Sequence, residues 1–179
     1  MRENNTNSDK VGGIINYRDM IVKVYGKPRL TLALRCISHA SVLIVAALFA
    51  VRLLLLFLGG DHLSAIKIAA VAAVPFLTVS VARKIINAKR PYELIGDFPH
   101  RPKSKSGESF PSRHTFSAFL IATLLLPWIP LVGIALYLVG VLLAASRVLL
   151  GIHFLRDVIA GALLGAAGGA IGIIIINFI

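Results

Sequence analysis

Cysteine and acid are what this chain has least of. Cys36 is the one cysteine in 179 residues, which excludes an intrachain disulfide and a thiolate metal cluster. Eight acidic residues stand against 19 lysines and arginines, for a net charge of +11. The mid-chain carboxylates Glu93, Asp97 and Glu108 lack the spacing of a two-metal site, so solvated side chains account for them better and no metal is expected. A secretory signal pattern is also missing, because the first thirty residues are polar and charged. Charged residues make up 15% of the chain and hydrophobic ones 57%, with a mean hydropathy of +0.83. Those values lie far above a soluble domain. With no soluble domain to present a basic face, the positive excess points to anionic membrane lipid and not to nucleic acid.

What is there is a set of long aliphatic runs, and about 20 apolar residues cross a bilayer core. Five such runs cover about 36–58, 63–82, 114–128, 131–149 and 157–178. The reading is an all-α polytopic membrane bundle of about five spans. Residues 1–30 form a separate polar N-terminus, with a disordered stretch over 1–10 and an amphipathic surface helix ending near Gly26 and Pro28. Residues 31–179 form the membrane domain. The third run is short and closed by Pro127, and Trp128 suits a membrane interface. The fifth carries Gly161, Gly165 and Gly169 at a spacing that lets helices touch.

Basic residues set the expected topology. Seven lie in residues 1–35, eight in 83–113 and two in 147–156, which is 17 of 19. Five spans put all three regions on one side. The loops 59–62 and 128–130 on the other side have none, and Arg52 and Lys67 can snorkel outward from the far helix ends. The rule of positive cytoplasmic loops places the N-terminus, the long loop 83–113 and the polar motifs on the cytoplasmic side of the cell membrane.

Polar patches gather at the ends of helices on that same side: Arg83, Lys84 and Arg90-Pro91, then Pro111-Ser112-Arg113-His114, then Ser146-Arg147, then His153 and Asp157. Arginine at a membrane edge is a functional candidate by default, and its planar fork matches phosphate. His153 and Asp157 are four residues apart, a spacing that puts them on one helical face. The carboxylate can accept one ring N–H and leave the other nitrogen as a nucleophile. His114 falls at a helix start with Ser112 as a possible cap, where backbone N–H groups can hold phosphate oxygens. Arg90, Arg147 and either Arg83 or Lys84 would offset the charge on the phosphate. These groups suit an enzyme that breaks a phosphate ester at a membrane surface.

The spacing Arg83-x6-Arg90-Pro91, Pro111-Ser112-Arg113-His114 and Ser146-Arg147-x5-His153-x3-Asp157 resembles the type 2 phosphatidic acid phosphatase superfamily, whose pattern is K-x6-R-P, P-S-G-H and S-R-x5-H-x3-D. The resemblance spans residues 83–157. It implies a metal-independent, cofactor-free lipid phosphatase on a helical bundle, acting on a lipid phosphate monoester or a prenyl diphosphate. A phosphotransferase with the same intermediate is the alternative. By the resemblance, His153 attacks phosphorus and becomes a phosphohistidine, His114 protonates the leaving oxygen and then helps water attack, and Asp157 orients His153. Arg90, Arg147, Ser112, the first-motif cation and the backbone at Arg113 hold the phosphate. Two positions depart from the pattern, Arg83 for lysine and Arg113 for glycine. The superfamily also commonly has six spans with the site facing out.

The remaining histidines read as structural. His39, between Ser38 and Ser41, is expected to pack or hydrogen-bond within the first span, and His62 and His100 to be solvated. Arg101, Lys103 and Lys105 read as a solvated or headgroup-binding run.

Overall fold

The computed structural model describes residues 17–95 and 106–178. Residues 1–16, Asp97, His100, Arg101, Lys103 and Lys105 therefore lie outside the described residues. Every regular element among the described residues is a helix. α1 covers residues 17–25. It is followed by α2 (Pro28–Leu58), α3 (His62–Ile86), the single turn α4 (Pro91–Leu94), α5 (Arg113–Leu125), α6 (Pro130–Leu149) and α7 (Leu155–Phe178).

The expected all-α bundle forms. Four stretches are long and apolar enough to cross a membrane: α2, α3 with α4, α6 and α7. Their outer faces expose Leu43, Leu63, Leu131, Leu138 and Leu163, each above 60%. Such surface is tolerable only against lipid, so this is an integral membrane protein. α5 occupies the third expected span but has only 13 residues. It rises about 20 Å, short of a core of about 30 Å. It sits inside the bundle, against α2, α3, α6 and α7. Phe116, Ala118, Leu120, Ala122 and Leu125 are each no more than 1% exposed.

α7 meets α5 backbone to backbone. A Cβ on Gly161 would lie 2.6 Å from the Ser112 carbonyl oxygen, and one on Gly165 2.3 Å from that of Phe116. One on Gly169 would lie 2.5 Å from Thr123 Cβ. The small-residue spacing is thus spent on holding the two helix starts that carry His114 and Asp157 together. Gly165→Val is expected to cost about 3 kcal/mol through overpacking. Thermal unfolding in detergent measures this, and an unchanged Tm would contradict the contact.

Three local expectations need correction. The first helix begins at Pro28, ahead of the apolar run near 36, because proline suits the first helical position. The amphipathic helix does end by Gly26, but its apolar face is not given wholly to lipid: Ile21 (1% exposed) and Val24 (7%) are buried against the bundle. His39 is exposed on α2 while its neighbours Ser38 and Ser41 turn inward. At the far end of the bundle the Arg52 guanidinium lies 4.6 Å from the Trp128 ring centroid, which ties the α2 end to the α5–α6 turn.

Candidate active site

The turn between α6 and α7 carries His153. Gly151, at φ 66°, reverses the chain after α6, and the amides of Ile152 and His153 donate back to the Arg147 carbonyl at 3.0 and 3.3 Å. His153 therefore lies before α7, outside any helix. Its approach to Asp157 does not come from a shared helical face, as the spacing suggested. It comes from a cap: Asp157 is the third residue of α7, and its Oδ2 accepts the Phe154 amide at 3.0 Å. His153 Nδ1 then stands 3.7 Å from Oδ2, an ion-pair distance longer than a hydrogen bond.

Ser109 fills that interval. Its hydroxyl donates to Asp157 Oδ2 and lies 3.4 Å from His153 Nδ1. One hydroxyl can donate to the carboxylate and accept from the ring, so Asp157 reaches His153 through Ser109 as well as directly. Ser109, His153 and Asp157 are all buried. Sequence reasoning missed Ser109, since a serine two residues before Pro111 carries no charge to mark it.

The loop before α5 is braced from beneath. α3 ends on Asn87, left-handed at φ 43°, and Arg83 in the last turn donates to the carbonyls of Pro111 and Glu108. Arg90 donates from Nε to the Gly107 carbonyl at 2.8 Å. Glu93, read from sequence as a solvated carboxylate, instead accepts the amides of Arg90 at 3.0 Å and Gly107 at 2.6 Å. Gly107 cannot be replaced cheaply, because it has φ 67° and a Cβ there would sit 2.0 Å from Asn87 Oδ1.

These elements enclose a polar cavity of about 510 Å³. Arg83, Arg90, Arg113, Arg147, His114 and His153 line it, with Glu108 as the one acidic lining residue. The structure thus brings together six of the nine sequence-nominated side chains in one chamber. Three stand elsewhere. Asp157 lies behind His153. Lys84 is exposed and does not line the cavity, so the buried first-motif cation is Arg83. Ser112 takes the N-cap position of α5 but makes no capping bond; its Oγ lies 3.1 Å from Thr115 Oγ1, and its amide donates to the Asp157 carbonyl at 2.8 Å. Among the described residues, no group of three or more His, Cys, Asp or Glu side chains is placed to hold a metal ion.

Burial lowers the pKa of His153, the Asp157 carboxylate opposes this, and the positive charge of Arg90 adds to the lowering. Burial and the Arg90 charge thus both favour the neutral ring. The unfolded chain takes up a proton near pH 6.5 while the folded ring does not, so stability falls as pH drops from about 6.5 towards the lowered folded value. Titration of the imidazole by NMR is expected to give a midpoint below 6.5, and one above it would contradict this environment.

Residues 64–178 match the sequence profile of the PAP2 superfamily, well over half of the chain. The chain belongs to that superfamily. No curated relative matches it. Among solved structures it resembles the crystal structure of the first transmembrane PAP2 type phosphatidylglycerolphosphate phosphatase from Bacillus subtilis, with a TM-score of 0.75 and 23% identity over 97% of this chain and 88% of that one. It also resembles Aquifex aeolicus LpxE, with a TM-score of 0.64 and 26% identity over 82% of this chain and 87% of that one.

The two departures from the PAP2 pattern have distinct places. Arg83 is buried and keeps the positive charge of the usual lysine beneath the loop. Arg113 is exposed at the cavity rim, its guanidinium 5.5 Å from the Phe76 ring centroid. Glycine at that position could not reach there.

Proposed function

We propose that this protein is a lipid phosphatase that hydrolyses the phosphate monoester or diphosphate of a membrane lipid through a phosphohistidine on His153. One observation carries the reading. A second cavity of about 320 Å³, almost wholly apolar and lined by Val45, Phe49, Ala72, Phe76 and Leu120, shares His114 with the arginine-lined chamber. A lipid phosphate has the same layout: an anion, one bridging oxygen and an apolar chain. With the phosphate among the arginines and the chain in the slot, the bridging oxygen falls at His114.

The steps follow from the groups present. Nδ1 of His153 faces Ser109 and Asp157, which leaves Nε2 for the cavity. Nε2 attacks phosphorus, the bond from phosphorus to the bridging oxygen breaks, and His114 gives its proton to the departing lipid oxygen. Water then attacks the phosphohistidine, His114 takes the water proton, and the N–P bond breaks to release phosphate. Arg147 suits the transition-state charge: its Nε is buried without a hydrogen-bond partner among the described residues, a donor left for an anion. Arg83 and Arg90 add charge while bracing the loop, the backbone of Ser112 and Arg113 opens the α5 start, and Arg113 at the rim meets the headgroup next to the chain.

The basic residues favour a site on the cytoplasmic face of the cell membrane. In a Cys36→Ser background, a single cysteine replacing Lys89 should be shielded from an impermeant reagent in intact cells while one replacing Gly60 is labelled; the reverse pattern overturns this orientation. The activity itself is tested with purified protein and a panel of short-chain lipid phosphates and prenyl diphosphates. Phosphate release that persists in chelator is expected, and no release from any of them would overturn the reading.

A further inference from the structure

α1 lies outside the 64–178 stretch that matches the superfamily, yet it grips the turn that carries His153. The Tyr17 hydroxyl lies 2.8 Å from the Val148 carbonyl oxygen and 2.7 Å from that of His153, and its single proton is shared between them. Its ring sits 5.5 Å from that of Phe154. Further along α1, the Tyr25 hydroxyl donates to the Leu150 carbonyl at 3.3 Å, and Val24 packs with Leu34 and Leu150. Thr31 of α2 fastens the helix by donating to the Val24 carbonyl at 2.9 Å.

The peptide unit between His153 and Phe154 is consequently held on both sides. Its carbonyl receives Tyr17, and its N–H is taken by Asp157 Oδ2. Fixing both groups fixes the plane of that peptide, and with it the direction in which the His153 side chain leaves the backbone. We propose that Tyr17 is a positioning residue for the reaction, aiming the His153 imidazole at phosphorus by pinning the carbonyl of its own residue. Burial and the nearby Asp157 charge both raise the Tyr17 pKa, so the hydroxyl keeps its proton as a donor. Sub-ångström aim matters here because in-line attack tolerates little displacement.

This inference rests on His153 being the nucleophile. Its test is Tyr17→Phe in the full chain, which keeps the ring against Phe154 and removes only the hydroxyl. With a short-chain lipid phosphate in detergent, kcat should fall roughly 10-fold with KM within about twofold of wild type. The Tm should stay close to wild type, since α1 keeps its apolar contacts. Tyr25→Phe, which loses the long bond to the Leu150 carbonyl and makes no bond to the His153 carbonyl, should leave kcat within about twofold. A Tyr17→Phe kcat within twofold of wild type overturns the proposal. So does a loss that appears in KM, or one matched by Tyr25→Phe, because either marks general loosening of the turn. If His153→Ala keeps its activity, the underlying reading fails; if His153→Ala is dead and Tyr17→Phe is unchanged, only the aiming role fails.

Discussion

His153→Ala is expected to lower phosphate release from a lipid phosphate by about 10⁴-fold or more, because the covalent step is lost with the imidazole. His153 is 2% exposed and wedged between Ser109 and the cavity, so the variant must first be shown to fold. Its environment makes that outcome reasonable. The turn is fixed by backbone bonds to the Arg147 carbonyl and by the Asp157 cap, none of which uses the imidazole. KM or lipid binding should persist, since the arginines and the apolar slot remain. Residual activity within tenfold of wild type would mean that water attacks phosphorus directly.

His114→Ala has the second large effect, and its size should depend on the leaving group. General acid catalysis contributes about 10²- to 10⁴-fold when the departing oxygen is a poor leaving group. A lipid alkoxide is such a group. A nitrophenolate leaves without a proton, so the defect should shrink by at least about tenfold with a nitrophenyl phosphate. His114 is the imidazole that, among the described residues, lines both the polar chamber and the apolar slot. An equal defect on both substrates in kcat/KM, which covers only the steps up to departure of the leaving oxygen, would remove His114 from protonation of that oxygen.

The candidate site was legible in the sequence because charge is so rare in it. In a chain that is mostly aliphatic, arginines and histidines at helix ends can be counted and matched to a chamber, and Arg83, Arg90, Arg113, His114, Arg147 and His153 do line one. What escaped was the work of neutral or backbone groups. Ser109 bridges His153 to Asp157 through a hydroxyl that no pattern of charge reveals. Tyr17 reaches the same turn from a helix 136 residues away in sequence, a contact that periodicity cannot carry. Glu93 shows the opposite error, a charged residue that serves two backbone amides. The spacing of His153 and Asp157 was right for contact but for a different reason, an N-terminal cap in place of a helical face. The burial of the short α5 within the bundle was not legible, because hydropathy reports burial in protein and burial in lipid alike.

In the proposed reading, the charge of Arg147 and the loop braced by Arg83 and Arg90 receive the strongly anionic group. The covalent step can be observed directly. Purified protein mixed with a lipid phosphate labelled in its phosphate, quenched in alkali within one turnover and digested, should yield an alkali-stable, acid-labile label on the peptide containing His153, absent from His153→Ala. Label on a different residue, or turnover of active enzyme with no labelled intermediate at any quench time, would contradict nucleophilic attack by His153.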